Sequence, residues 1–335
     1  MRKKQMKKYE LKINDRRLID GPVDNLMCIS PLKHTWARDF WKRMLANTWF
    51  PTVVDMSRDI KAYKALSDAE RGMYDKALAF LSNLDGIQFN NLTNNIGRYI
   101  TSPEVSMCIS RQAFEEAVHV DSYATLIEAV SADPHYIYGL FARDGLLAAK
   151  NEHVLRQSAI LGNDYTKRNF ALAVCANVIL EGIYFYSGFL AFYTLARSGR
   201  MLGSADMIRL IQRDEVVHLE LFVQMFHTLR EENPELFDDT LVADIIKLFK
   251  EAVTLEVSWG KHIIKGGVLG LSDGIIESYI QHLANKRLGM LGIGEIFDVK
   301  NPAEWVEEFS HINNEESNFF ESRVKAYSTG TLEWD

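Results

Sequence analysis

The sequence predicts an all-α protein that folds as one bundle of long helices with additional helices around it. Only seven prolines occur in 335 residues, and between them apolar residues recur at intervals of three and four, which is the helical period. No stretch rich in glycine and serine divides the chain, and 47% of its residues are hydrophobic, enough for one large core. We therefore expect a helical domain over residues 1–311 and a flexible C-terminal tail over residues 312–335.

The first two predicted helices flank an extended segment. One helix covers residues near 36–48 and leads into the extended segment WFPTVVDMSRD. The next begins after Ser67, because a serine N-cap with a glutamate three places later, here Glu70, can form a capping box. This helix should run towards Tyr99.

The following helices are read from their caps and their apolar period. Ser102 is the N-cap of a helix with Pro103 at its first position, where the missing proline N–H is not needed, and the helix should continue to about Val130. Further helices are predicted over residues 135–161, 166–197, 204–231, 239–265 and 272–290. The connections between them are short, so sequential helices should pack as antiparallel neighbours.

Composition excludes several classes of function. The chain carries 38 basic and 45 acidic residues, a net charge of −7, so no global attraction to nucleic acid or to an anionic membrane is expected. The basic N-terminus lacks the apolar stretch of a signal peptide, and no segment of 18 residues is free of charge, which predicts a cytoplasmic protein. The cysteines Cys28, Cys108 and Cys175 are scattered, so they predict buried apolar residues rather than a disulfide, zinc or dithiol site.

The motif Glu-x-x-His places a carboxylate and an imidazole on one helix face, one turn apart, where both can bind a metal. One copy arises easily by chance. Three copies occur, namely Glu116 with His119, Glu215 with His218, and Glu308 with His311. The third lies at the edge of the polar tail without an apolar helical repeat around it, so we interpret it as a chance match.

Each of the first two motifs has an acidic residue upstream on another helix in an apolar setting. These are Asp85 in FLSNLDGIQF and Glu181 in NVILEGIYFY. Asp85 precedes Glu116 by 31 residues and Glu181 precedes Glu215 by 34. Each interval fits an antiparallel pair in which the chain runs out along one helix and comes back along the next, so that the two acids lie at the same height in the bundle.

Two such pairs facing each other would bring four carboxylates and two imidazoles into one bundle core. Buried carboxylates without partners are costly, and two divalent cations would neutralise the four negative charges. Taken alone, either upstream acid could be a helix-surface residue, but the matched spacing of the two pairs favours a dimetal site. Its predicted ligands are Asp85, Glu116, His119, Glu181, Glu215 and His218.

A tyrosine lies beside this predicted site. Tyr123 follows His119 by four residues and Glu116 by seven, so it shares their helix face one turn from the metals. An oxidised cluster could take an electron from it, provided that water is kept away. Three apolar residues that share helix faces with the acids could form that screen or could be ordinary core: Phe185, Phe189 and Ile211.

Several segments carry a resemblance to a known family. In this order, WFPTVVDMSRD, LDGIQ, FEEAVHVDSY, LEGIYFYSGF and RLIQRDEVVHL resemble the small subunit of class I ribonucleotide reductase over residues 35–300. The ending FFESRVKAYSTGTLEWD resembles that family's partner-binding tail. The resemblance implies a ferritin-like bundle whose site generates a tyrosyl radical for a separate large subunit that reduces ribonucleotides.

The resemblance also implies roles for individual residues. Tyr123 matches the radical tyrosine. Trp49 matches the tryptophan at the start of the electron-transfer path, and His119 and Asp214 match the hydrogen-bonded residues that link the metal site to this tryptophan. Tyr327 matches the tail tyrosine that passes the radical onward. Each has a plainer alternative: Trp49 as core, Asp214 as the partner of Arg213, and Tyr327 as an anchoring aromatic.

The cofactors and partners follow from the same resemblance. It assigns Asp85, Glu116 and His119 to one metal ion and Glu181, Glu215 and His218 to the other. Some family members carry phenylalanine and glutamate where this chain has Tyr123 and Asp85, so a di-iron site is favoured, with dimanganese and manganese/iron sites open. A homodimer paired with the large subunit is expected. An oxidase or desaturase acting on a lipid, and a metal-storage protein, are the alternative functions.

Overall fold

The computed structural model describes residues 13–306, except 24, 25 and 266. Within these residues the regular structure is helical, and extended pairing is limited to an isolated antiparallel bridge between Ile19 and Ile100. The predicted all-α fold is therefore confirmed. The predicted tail over residues 312–335 lies outside the described residues.

The α-helices of the bundle follow one another along the chain with short connections. In order they are α1 (Thr35–Ala46), α2 (Ser57–Lys64), α3 (Asp68–Asn94), α4 (Pro103–Val130), α5 (Pro134–Tyr138), α6 (Leu140–Arg143), α7 (Gly145–Ser158), α8 (Ile160–Asn163), α9 (Lys167–Ile179), α10 (Tyr186–Arg197), α11 (Leu202–Glu232), α12 (Asp239–Ile263) and α13 (Asp273–Met290). A wide π-helical turn, Leu180–Tyr184, joins α9 to α10.

Two antiparallel pairs form the centre of the bundle. Helix α3 packs along α4, and α11 packs along α9 and α10. Helices α7, α12 and α13 pack outside them. Buried apolar side chains from all of these helices form one continuous core.

The predicted caps of the two long N-terminal helices are present. The Ser67 side chain accepts from the Glu70 backbone N–H, and the Glu70 carboxylate accepts in turn from the Ser67 backbone N–H. Ser102 accepts from Val105 at the start of α4, with Pro103 at the first position. The helix that begins after Ser67 ends at Asn94, five residues earlier than predicted, and a short 3-10 turn follows it.

Three further predicted elements differ in the structure, the first being the helix over residues 166–197, which the wide turn Leu180–Tyr184 interrupts. Residues 135–161 lie in four helices, α5 to α8, and not in one. The chain breaks at Gly139, at Asp144, which caps α7 through the N–H groups of Leu146 and Leu147, and at Ala159. The segment WFPTVVDMSRD is only partly extended: it contains a 3-10 turn at Pro51–Val53 and enters α2 at Ser57.

The most apolar part of the chain is a core element. The stretch Lys167–Arg197 is long and apolar enough to cross a membrane by length and composition, yet 89% of its most apolar window is buried inside the protein. Cys108 and Cys175 are buried as expected, whereas Cys28 is only half-buried.

Candidate metal centre

Six side chains meet at the centre of the two helix pairs. Asp85 comes from α3, Glu116 and His119 from α4, Glu181 from the wide turn, and Glu215 and His218 from α11. All six are fully buried. The structure thus brings together every side chain that the spacing argument selected as a ligand.

The six form two overlapping groups. In each group the potential ligand atoms all lie within 4.8 Å of one another. One group contains Asp85, Glu116, His119 and Glu215, and the other contains Glu116, Glu181, Glu215 and His218. Glu116 and Glu215 belong to both groups, so the two groups share these carboxylates.

Both imidazoles turn the same ring atom into the cluster. His119 Nδ1 lies 3.0 Å from Glu215 Oε1 and 3.4 Å from Glu116 Oε2. His218 Nδ1 lies 2.9 Å from Glu215 Oε2 and 3.3 Å from Glu116 Oε1. Each histidine therefore faces the same pair of shared carboxylates.

The donor set fits two divalent cations. The buried atoms without a hydrogen bond among the described residues include both oxygens of Asp85, one oxygen each of Glu116, Glu181 and Glu215, and Nδ1 of His119. Buried polar atoms are almost always satisfied, so a cluster of unpartnered acceptors indicates a cation site rather than a packing fault. Oxygen and imidazole ligands of this kind suit iron or manganese.

The electrostatics agree with a cation site. Burial raises the pKa of the Asp85 and Glu181 carboxyls well above their usual values, and the negative charge of Glu215 adds to this in both cases. Burial alone would also raise the pKa of Glu215, but the neighbouring His119 and His218 lower it. Burying these carboxyls together without a compensating cation is thus unfavourable.

Two carboxamides hold Glu181. Gln88 Nε2 and Gln112 Nε2 both donate to Glu181 Oε1, the latter at 2.7 Å, so that Oε2 is left without a partner among the described residues. Gln112 also donates to Glu116 Oε1 at 3.2 Å. Both amides are buried, and they fix which oxygen of Glu181 faces the cluster.

A second carboxylate stands behind each histidine. His119 Nε2 lies 3.4 Å from Asp214 Oδ2, and His218 Nε2 lies 3.0 Å from Glu115 Oε2. Asp214 precedes Glu215 on α11, and Glu115 precedes Glu116 on α4. Each histidine thus contacts an outer carboxylate from the opposite helix. Such carboxylates orient metal-binding imidazoles and raise their basicity.

Trp49 lies next to one of these outer carboxylates. Its indole Nε1 donates to Asp214 Oδ2 at 2.6 Å, and its ring stacks on the His119 ring with centroids 6.2 Å apart. The indole is 8% exposed. Arg213 also donates to Oδ1 of Asp214. Both Trp49 and Arg213 are therefore partners of this carboxylate.

Tyr123 is fully buried, and its hydroxyl has no hydrogen-bond partner among the described residues. Burial raises its pKa well above the usual value, and the charge of Asp85 adds most to that effect. Phe185, Phe189 and Ile211 are buried too. The rings of Phe185 and Phe189 stack with centroids 5.7 Å apart.

Two features selected from the sequence fall outside the described residues. They are Tyr327 and the third motif, Glu308 with His311. Three residues of the site escaped the sequence argument, namely Gln88, Gln112 and Glu115. The role of Glu115 could have been inferred from the sequence, because both metal motifs have an acidic residue directly before their glutamate, in EEAVH and DEVVH.

Fold and site together define an all-α, ferritin-like protein of the dimetal-carboxylate class. Within that class the comparison with known families is specific. The family model of the ribonucleotide reductase small chain matches residues 26–302. The chain belongs to this family.

Relatives of known identity cover almost the whole chain. It is 35% identical over 331 residues to the ribonucleoside-diphosphate reductase subunit beta of Treponema pallidum, covering 95% of this chain and 92% of that protein. The corresponding protein of Chlamydia pneumoniae is 31% identical and matches 97% of this chain and 96% of its own length. The solved R2 subunit from Clostridium botulinum superposes with a TM-score of 0.86 at 37% identity, over 89% of this chain and 95% of that one.

Proposed function

We propose that this chain generates and stores a tyrosyl radical at Tyr123 and delivers it to the large subunit of ribonucleotide reductase. As a small chain of that family it is a subunit of an oxidoreductase that acts with a large subunit. The observation that supports the radical role is the burial of Tyr123 beside a cluster with two shared carboxylates.

The dimetal site is assigned to the six clustered side chains. Asp85, Glu116 and His119 would hold one ion and Glu181, Glu215 and His218 the other, with Glu116 and Glu215, common to both groups, available to both ions. When bound, the metals supply the oxidising power that the protein itself lacks. A di-iron pair is the favoured content, with dimanganese and manganese/iron as the alternatives.

Tyr123 stores the oxidising equivalent. Its phenol would lose one electron to the oxidised metal pair and its hydroxyl proton to a nearby carboxylate. Asp85 is the proposed proton acceptor, because its charge is the one that most affects Tyr123. Phe185, Phe189 and Ile211 keep water from the radical. Exclusion of water prevents its loss by side reactions.

The radical leaves the site through hydrogen-bonded residues. His119, Asp214 and Trp49 form a continuous contact path from the cluster to a side chain near the surface. Tyr327, in the tail of residues 312–335, is proposed to receive the equivalent and pass it to the large subunit. We further propose a cytoplasmic homodimer with one such site in each chain.

The decisive experiment is electron paramagnetic resonance with metal analysis on the freshly isolated protein. We expect two metal ions per chain and an organic radical signal that disappears in Tyr123→Phe, because phenylalanine has no oxidisable hydroxyl. Tyr193→Phe is the matched control, since Tyr193 is an equally buried tyrosine whose hydroxyl donates to Gln212. A radical signal that survives in Tyr123→Phe would contradict the assignment, whatever Tyr193→Phe shows.

A further inference from the structure

The wide turn Leu180–Tyr184 is an irregular element at the position of a metal ligand. A π-helical turn accommodates one extra residue, which rotates the helix that follows by about 100° relative to the helix before it. If the turn became regular α-helix, the helices on its two sides would rotate relative to each other. Glu181 would then move away from the cluster, or the core-facing side chains of α10 would no longer face the core. Such turns interrupt the regular hydrogen-bond ladder and need outside partners for their backbone groups.

Arg287 on α13 supplies one of these partners. Its Nε donates to the carbonyl oxygen of Gly182 at 3.3 Å, and its terminal nitrogen donates to the Tyr186 hydroxyl at 2.9 Å. Gly182 makes the approach possible, because a Cβ there would lie only 2.9 Å from Arg287 Nε and 3.0 Å from its Cγ. Arg287 thus spans the turn from its middle to the start of α10.

Glu256 on α12 supplies the other partner. Its Oε1 accepts from the backbone N–H of Ser187 at 3.2 Å, just after the wide turn. Gly260, one turn further along α12, lets the two helices come close, since a Cβ there would lie 2.9 Å from Ser187 Oγ. The helix that begins after the turn is therefore held by a charged side chain from a neighbouring helix.

Lys150 completes the arrangement. Its Nζ donates to Glu256 Oε2, and both side chains are fully buried. The ammonium group lies over the rings of Phe80 at 3.5 Å and of Tyr184, the last residue of the turn, at 5.5 Å. A buried ion pair is weak evidence for stability, but here one member contacts the last residue of the turn and the other the helix that follows it.

We propose that Arg287 and the Lys150–Glu256 pair are positioning residues that hold the wide turn open and thereby place Glu181 at the metal site. They act from α7, α12 and α13 on the segment that follows Glu181, from Gly182 to Ser187. The inference rests on the proposed function only in treating Glu181 as a metal ligand.

The first test uses the metal-free protein and two double variants. Lys150→Met with Glu256→Leu removes both charges and the acceptor of the Ser187 N–H, whereas Lys150→Met with Glu256→Gln removes the charges and keeps an acceptor. We expect faster hydrogen exchange over residues 182–188 in the leucine variant and in Arg287→Met, and a smaller increase in the glutamine variant, which keeps the acceptor of the Ser187 N–H but loses Lys150. Tyr74→Phe, which loses only a distant buried hydroxyl contact with Ser204, should leave this segment unchanged.

The second test measures Mn²⁺ binding to the same proteins. For the leucine variant and for Arg287→Met we expect the affinity of one of the two ions to fall roughly 10- to 100-fold, the range for groups that orient ligands. Anomalous diffraction should show that this ion is the one near Glu181 and His218, with the ion near Asp85 and His119 retained. A general loss of stability would weaken both sites together.

The outcomes separate the two proposals. Unchanged exchange over residues 182–188 in both the leucine variant and Arg287→Met overturns the positioning role, whatever the metal content. Equal weakening of both ions also overturns it. Altered exchange in a protein that binds no Mn²⁺ at all would support the hold on the turn and contradict the dimetal function instead.

Discussion

His119 and His218 each contact two carboxylate layers, with Nδ1 facing the buried cluster and Nε2 facing Asp214 or Glu115. A proton on Nε2 is stabilised by the outer carboxylate, and this leaves the Nδ1 lone pair free for a metal ion. The outer carboxylates therefore belong to the metal chemistry although they face away from the cluster. The arrangement is reciprocal: the histidine on α4 contacts an outer carboxylate on α11, and the histidine on α11 contacts one on α4.

This arrangement predicts a site-specific effect of Glu115. Glu115→Ala removes the acceptor behind His218 and should lower the affinity of the ion near His218 roughly 10- to 100-fold. Equilibrium dialysis over a range of Mn²⁺ concentrations measures this affinity. Glu128→Ala, an exposed acid on the same helix, is the control and should bind both ions normally. Equal affinities in the two variants would exclude a role for Glu115.

Glu70 predicts an acid-sensitive helix start. Its carboxylate binds the Arg200 guanidinium and the Ser67 backbone N–H, and the Arg200 hydrogen bonds are the main cause that lowers its pKa to about 2 from 4.5. A lowered pKa in the folded state stabilises the protein above pH 4.5, and this contribution is lost as the pH falls towards about 2.

Urea unfolding of the metal-free protein across that interval checks the expectation. The free energy of unfolding should fall less steeply with decreasing pH in Glu70→Gln than in the unmodified protein. Arg200→Gln should flatten the profile in the same way, because it removes the largest cause of the shift. Parallel profiles in all three proteins would show that Glu70 contributes nothing in this range.

At the scale of helices, the apolar period and the caps predicted most of the fold. The start of α3 at its capping box and the start of α4 at Ser102 and Pro103 are local signals, and both are confirmed. The six clustered residues were also predictable, since helical spacing fixes which side chains share a face and level.

The remaining features depend on contacts between distant segments. The wide turn at Leu180–Tyr184 has no local sequence signature, because its partners Arg287 and Glu256 come from helices far along the chain. The break between α6 and α7 lies at Asp144, which caps α7 and also contacts His262 on α12, so part of its environment comes from a distant helix. Gln88 and Gln112 look like ordinary helix residues until the helices are assembled.

Close helix packing at Gly260 gives a further prediction. A Cβ at Gly260 would lie 2.5 Å from Ile276 Cγ2, so Gly260→Ala should lower the free energy of unfolding by about 1–3 kcal/mol through overpacking. Gly72→Ala is the control: nothing lies within 4 Å of its Cβ position in α3, and it should raise the free energy by about 0.5–1 kcal/mol. Denaturant titration of both variants distinguishes packing from helix propensity.

For the whole molecule, the proposed function requires two separable parts, a metal-binding body and a partner-binding tail. Deleting residues 312–335 should abolish reductase activity with the large subunit, because Tyr327 and the docking segment are lost. Metal content and the radical signal should persist, since the six clustered residues and Tyr123 remain. Turnover assays with purified large subunit, with electron paramagnetic resonance on the same sample, measure both. Full activity after the deletion would contradict the tail assignment.

The sharing of Glu116 and Glu215 between the two ligand groups has a consequence for biogenesis. Helices α3 and α4 are synthesised well before α11. Each of the two ligand groups nevertheless contains Glu116 from α4 and Glu215 from α11. A nascent chain therefore cannot complete either ligand group until α11 has been synthesised and has packed against α4. A full set of ligands for either ion is thus a product of tertiary packing and not of a single helix pair.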